Sequence, residues 1–120
     1  MKKKILIIDD EPDYLNIAAK MLLQEGYEVM TAASGAEGLK KIKHFLPDLI
    51  LLDIGLPDAS GIEITGKLKA EKKTASIPIL LFTVRSELNY VKRGINAGAR
   101  DYIIKPFDID EFVKRINKFF

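Results

Sequence analysis

Three aspartates, a threonine and a lysine each follow a short apolar run in this 120-residue chain. Asp9 and Asp10 follow the run 5–8, Asp53 follows 49–52, Thr83 follows 79–82 and Lys105 follows 102–104. Brought to one rim, three carboxylates would raise one another's proton affinity unless a cation lay among them. Mg2+ suits such a place, because it binds through one or two carboxylates, keeps several waters and leaves positions for phosphate oxygens. Mn2+ is a substitute with the same taste for oxygen ligands. A hydroxyl and a fixed ammonium on the same rim point to phosphoryl chemistry. Asp53 would attack a phosphoryl donor and form an acyl phosphate. Asp9 and Asp10 would hold the metal, and Thr83 and Lys105 would stabilise charge on the transferring oxygens. Each residue alone also fits a turn, a cap or a solvated charge; their recurrence at successive strand ends favours the site.

That rim needs a fold that aligns the strand ends. The four runs are continuous rather than alternating, as in strands covered on both faces, and 29–32 reads as a weaker edge strand. Helix signals lie between them. Leu15, Ala18, Ala19 and Leu22 give one apolar face, with Gly26 placed for a C-terminal cap. Ser34 with Glu37, and Ser60 with Glu63, have capping-box spacing. Val91 and Ile95 mark a fourth helix ending near Gly98, and Asp108 opens a fifth whose face is Ile109, Phe112, Val113 and Ile116. Five strand-helix units predict an α/β fold: a single doubly wound, five-stranded parallel sheet with five helices, flavodoxin-like, in strand order 2-1-3-4-5. Ligands of such sheets bind beyond the carboxyl ends of the strands at the topological switch, here between strands 1 and 3.

Composition removes other classes. There is no cysteine and one histidine, His44, so disulfide scaffolds, thiolate zinc sites and thiol nucleophiles are excluded. Nineteen basic against 17 acidic residues give a formal charge of +2, too near balance to mark a nucleic-acid or membrane surface. The late basic residues, such as Lys92, Arg93 and Lys114, read as solvated faces or complements to helix C-termini. The longest apolar runs fall far short of the roughly 20 residues that span a bilayer. A cytoplasmic location is the expectation.

The chain resembles the receiver domains of two-component response regulators over essentially all of residues 1–120. The resemblance is carried by Ile8-Asp9-Asp10, by Asp53 with Leu56-Pro57 and Gly61 downstream, by Thr83, and by Tyr102-Ile103-Ile104-Lys105-Pro106-Phe107. It implies phosphoryl transfer to Asp53 from a histidine kinase or histidine phosphotransfer protein, with Mg2+ at Asp9, Asp10 and Asp53 and on the backbone carbonyl of Gly55. It further implies phosphoryl contacts from Thr83 and Lys105 and a cis Lys105–Pro106 peptide. Thr83 and Tyr102 would act as the switch, remodelling the face of helix 4, strand 5 and helix 5 for an effector or output domain. By the same resemblance the domain is not a turnover enzyme; it promotes its own phosphorylation and slow autodephosphorylation.

Some positions depart from the family pattern. Val84 stands where a small residue commonly keeps the phosphoryl pocket open; it is β-branched and stiff, and narrows access. Gly55 lacks a side chain to place or exclude the hydrolytic water, and Arg85 is long enough to reach over the opening; both are expected to tune phosphoryl lifetime. Tyr14, Ile17 and Met21 form a second apolar stripe on helix 1, expected with Pro106 to dock the helical phosphodonor. The alternatives are a phosphorylation-independent interaction module with the same fold and, last, a phosphatase or nucleotide hydrolase, for which the phosphate-binding Gly-rich loop is lacking. Any effector is expected on another chain or outside these residues.

Overall fold

The apolar runs are buried on both sides because helices cover both faces of one parallel sheet. A computed structural model describes residues 2–120, the side chains of residues 85 and 86 excepted. The order is β1 Lys4–Ile8, α1 Pro12–Gln24, β2 Glu28–Ala32, α2 Gly35–Phe45, β3 Leu49–Asp53, α3 Gly61–Ala70, β4 Ile79–Val84, a 3-10 segment Arg85–Tyr90, α4 Val91–Ala97, β5 Asp101–Lys105 and α5 Ile109–Asn117. The sheet order is β2-β1-β3-β4-β5, every pair parallel. β2 is the partly exposed edge that its sequence suggests.

Alternation along each strand divides the core between the two faces. Leu6, Ile8, Ile50, Leu52 and Leu81 pack with Ile42, Ile64, Leu68 and Val91 beneath α2, α3 and α4. Ile5, Ile7, Leu51, Leu80 and Phe82 pack with Leu22, Phe112 and Ile116 beneath α1 and α5. Full burial of each such side chain contributes roughly 1.5–3 kcal/mol. The helices lie close: a Cβ on Gly38 of α2 would fall 2.4 Å from Ile8 Cδ1.

Ser34 caps α2, its Oγ accepting from Glu37 N at 3.2 Å, while Glu37 Oε1 accepts from Ala33 N at 3.3 Å. Ser60 caps α3 by a different bond from the one its spacing predicts. Its Oγ accepts from Ile62 N at 3.1 Å, and Ser60 also pairs with Gly55 in an isolated bridge, a contact outside the local pattern. Asp108 Oδ1 accepts from Asp110 N at 2.8 Å and opens α5. α4 runs Val91–Ala97 and is capped at Gly98, where its pattern places the end. Val91 and Gly94 face the sheet, whereas Ile95 is exposed.

Candidate functional site

β3, β4 and β5 each deliver a chemical group by extending past the apolar stretch. β3 includes Asp53, β4 runs through Thr83 to Val84, and β5 ends on Lys105, so three of these groups are strand residues held by ladder pairing. Asp9 follows β1 directly, its N–H donating to Ala32 O at 3.0 Å. Asp9, Asp53, Thr83 and Lys105 are buried, and Asp10 is exposed at the mouth.

Lys105 Nζ sits among carboxylates, 2.7 Å from Asp9 Oδ2, 3.0 Å from Glu11 Oε1 and 3.4 Å from Asp53 Oδ2. The aromatic rings of Tyr14 and Phe82 lie beside the ammonium, their centroids 4.7 and 5.6 Å away. Phe107 stacks on Phe112 at 4.7 Å and fills the space behind. Burial works against the charged lysine, but the close approach and charge of Asp9, Asp53 and Glu11 outweigh it and raise its proton affinity. For Asp53 burial wins. It pushes the carboxyl up, Lys105 pulls it down, Asp9 raises it again and the Gly55 N–H lowers it, leaving a value of about 7.

One carboxylate oxygen from each of Asp9, Asp10 and Asp53 lies within 4.8 Å of the other two. Asp9 Oδ2 is buried, and although Lys105 approaches it, no hydrogen bond of suitable angle reaches it among the described residues. Hard oxygen donors with a buried lone pair to spare fit a hard divalent cation such as Mg2+. Gly55 N donates to Asp53 Oδ1 at 3.2 Å, which holds the following loop beside the same carboxylate.

The remaining sequence expectations divide. Thr83 Oγ1 donates to Val84 O at 3.0 Å rather than to Asp53. Val84 is half-buried beside it, and the Arg85 side chain lies outside the described residues. Tyr102 is half-buried at the β5 edge, its carbonyl accepting from Arg115 Nη1 at 2.6 Å. The Lys105–Pro106 peptide is cis, and Pro106 is exposed. The stripe on α1 does not stay together. Met21 is buried in the core with α5 residues, so it is packing rather than docking surface, because helical spacing alone does not show that α5 crosses there. Tyr14 is half-buried with its ring 5.8 Å from that of Phe107, and of the three only Ile17 is exposed.

Three residues near the site were not foreseen. Glu11 is a third partner of Lys105, and the run Asp9-Asp10-Glu11 was its only signal. Glu87 folds over Gly55, its Oε2 3.1 Å from where a Cβ on that glycine would sit. Asp58 Oδ1 and Oδ2 accept from Gly35 N and Ala36 N at 2.8 and 2.9 Å, a contact between two loops that no local pattern encodes.

Residues 5–117 match the response regulator receiver domain family. The chain belongs to that family. Its similarity to the transcriptional regulatory protein KdpE of Mycobacterium tuberculosis is 38% identity over 112 residues, covering 93% of this chain and 48% of KdpE. The chain thus spans about half the length of that relative. Against histidine kinase P4 of Formosa agariphila the identity is 40% over 115 residues, 96% of this chain and 8% of the kinase. The chemotaxis response regulator CheY4 of Vibrio cholerae has the same fold, with a TM-score of 0.93, 28% identity and full coverage of both chains. Receiver domains of response regulators are signalling domains of two-component systems, not conventional enzymes, and the family supports a phosphoacceptor role for this one. Among the described residues no helix is long and apolar enough to cross a membrane.

Proposed function

We propose that this receiver domain is a cytoplasmic switch that accepts a phosphoryl group on Asp53 from a histidine kinase or histidine phosphotransfer protein. The observation that carries the reading is the buried meeting of Asp9, Asp53 and Lys105 from three strands, with Asp10 at the mouth. An Asp53 carboxylate oxygen forms a bond to phosphorus as the phosphorus–nitrogen bond of a protonated phosphohistidine breaks. The nitrogen keeps the electron pair and leaves as neutral imidazole. Lys105, already beside Asp53, moves its charge onto the new phosphoryl oxygens. Asp9, Asp10, Asp53 and the Gly55 carbonyl would hold Mg2+, or Mn2+ in its place, which supplies charge neutralisation for the transferred group. Hydrolysis resets the site: water attacks phosphorus, the phosphorus–oxygen bond to Asp53 breaks with its electron pair staying on the carboxylate, and inorganic phosphate leaves with the water's oxygen, its protons shared between phosphate and solvent.

Thr83 carries the signal by exchanging its bond to the Val84 carbonyl for one to the phosphoryl group, which pulls on the end of β4. Tyr102, half-buried at the sheet edge, would follow and alter the surface of α4, β5 and α5 offered to an effector or output domain. Tyr14, Ile17 and Pro106 remain as the surface for the phosphodonor, beside Lys105. Gly55, Val84 and Arg85 would set access and lifetime.

Incubation with acetyl phosphate and Mg2+, read by intact mass, is expected to add one phosphoryl group per chain, lost in Asp53→Ala. No labelling of the folded wild type would favour a phosphorylation-independent interaction module, and repeated release of phosphate a hydrolase.

A further inference from the structure

The loop of residues 54–60 leaves β3 directly after the phosphoacceptor and is fastened at a point remote in sequence. Asp58 spans 23 residues to give one carboxylate oxygen to each of the first two N–H groups of α2, Gly35 and Ala36. Ser34 Oγ takes the third N–H and the Ser34 carbonyl takes that of Gly38 at 3.0 Å. The Gly38 bond is the first of the regular helical ladder, and the three N–H groups before it, of residues 35, 36 and 37, are all satisfied by side chains, two of them from the other loop. The fit is close. A Cβ on Gly35 would fall 3.2 Å from Asp58 Oδ1 and 3.4 Å from the Ala59 Cβ. At the other end of the same loop, Gly55 N donates to Asp53 Oδ1 and Gly55 bridges to Ser60.

We propose that Asp58 is a positioning residue for the phosphoacceptor: by tying the loop to the first turn of α2, it fixes Gly55 against Asp53 and keeps the Gly55 carbonyl at the cation site. The role toward cation and phosphoryl group rests on the function proposed above. The fixing of Gly55 does not. The Ala36 and Gly35 N–H groups hold the Asp58 carboxyl below its ordinary range, so the tie is charged and intact throughout the neutral range. By linkage, a cation that orders Gly55 must also tighten the start of α2.

The test compares Asp58→Ala and Asp58→Asn with Ser34→Ala, which weakens the same helix start without touching the loop. Amide exchange by NMR in metal-free protein is expected to show Gly55 N–H exchanging about fivefold faster in Asp58→Ala, the order of one lost capping interaction. Titration with MgCl2, followed on the Asp10 and Gly55 amides, is expected to give about threefold weaker affinity, below the range for groups bonded directly to metal ligands. Asp58→Asn, keeping one acceptor oxygen, falls between and serves if the alanine variant does not fold. Ser34→Ala is expected to lower the unfolding midpoint yet leave both readouts within about twofold. Unchanged Gly55 exchange in both Asp58 variants, or an equal change in Ser34→Ala, would overturn the proposal. A wild type that neither binds Mg2+ nor labels, but whose Gly55 still loosens on loss of Asp58, would remove the phosphoacceptor reading and keep the tie.

Discussion

The chain leaves the sheet beside the pocket in two contrasting ways. After β3 it is fastened: Ile54 N donates to Phe82 O at 3.1 Å, Gly61 N to Ile54 O at 2.9 Å, and Asp58 holds the start of α2. After β4 it winds into a 3-10 segment, and the N-cap residues of that segment and of α4, Val84 and Tyr90, make no side-chain cap bond. The poorer geometry of 3-10 turns makes such a stretch easier to rearrange. Asp53 thus stands on the fixed side and Thr83 at the root of the softer one. The proposed function would draw on both: a rigid frame for the proposed acceptor and cation, and a neighbour with a weak hold on its next segment.

The largest effect is expected where the fixed side is tightest. A Cβ on Gly61 would lie 2.4 Å from the Asp53 carbonyl oxygen and 2.8 Å from Ile54 Cα, both backbone. Gly61→Ala should cost about 3 kcal/mol in urea denaturation. Gly66 of the same helix has nothing within 4 Å of its Cβ position, and Gly66→Ala should gain roughly 0.5–1 kcal/mol. Equal behaviour of the two glycines would dissolve the contrast.

Next comes Asp53, the proposed acceptor. Its raised value of about 7 means that the folded protein binds more protons than the unfolded chain between the ordinary carboxyl value and that point. Stability without divalent cation should then be highest on the acid side of that window and decline as pH rises through it. Asp53→Asn should abolish this slope and be more stable at pH 8. Three pKa units correspond to roughly 4 kcal/mol, and solvent reaching the open rim reduces the expected gain to about 2 kcal/mol. Thermal melts across the window would show it; a wild-type curve that rises with pH would refute it. The smallest effect concerns the softer side. Val84→Ala should speed labelling by acetyl phosphate about threefold, a change of ~0.7 kcal/mol in barrier. An unchanged rate would mean that Val84 does not narrow the pocket.

The frame was legible because its signals are local. Continuous apolar runs at 5–8 and 49–52 could be buried on both faces only within a covered parallel sheet, and that sheet carries Asp9, Asp53, Thr83 and Lys105 to one rim. What sequence could not show depends on which loops meet. Met21 has helical spacing with Tyr14 and Ile17, and only the position of α5 decides that it is buried. Ser60 has a glutamate three residues on, but its cap bond goes to Ile62 N, and its pairing with Gly55 lies outside the local pattern. Asp58 has no motif, since its partners belong to another helix.

The ionic knot around Lys105 also orders events during synthesis. Its partners Asp9 and Asp53 lie 96 and 52 residues earlier in the chain, and β5, which carries it, is the last of this sheet's strands to be made. A ribosome-bound chain that has produced the first four strands already holds the carboxylates but not their counter-charge. On the proposed reading, competence as an acceptor is conferred late, by the strand that completes the sheet, and an unfinished copy lacks the lysine that this chemistry uses.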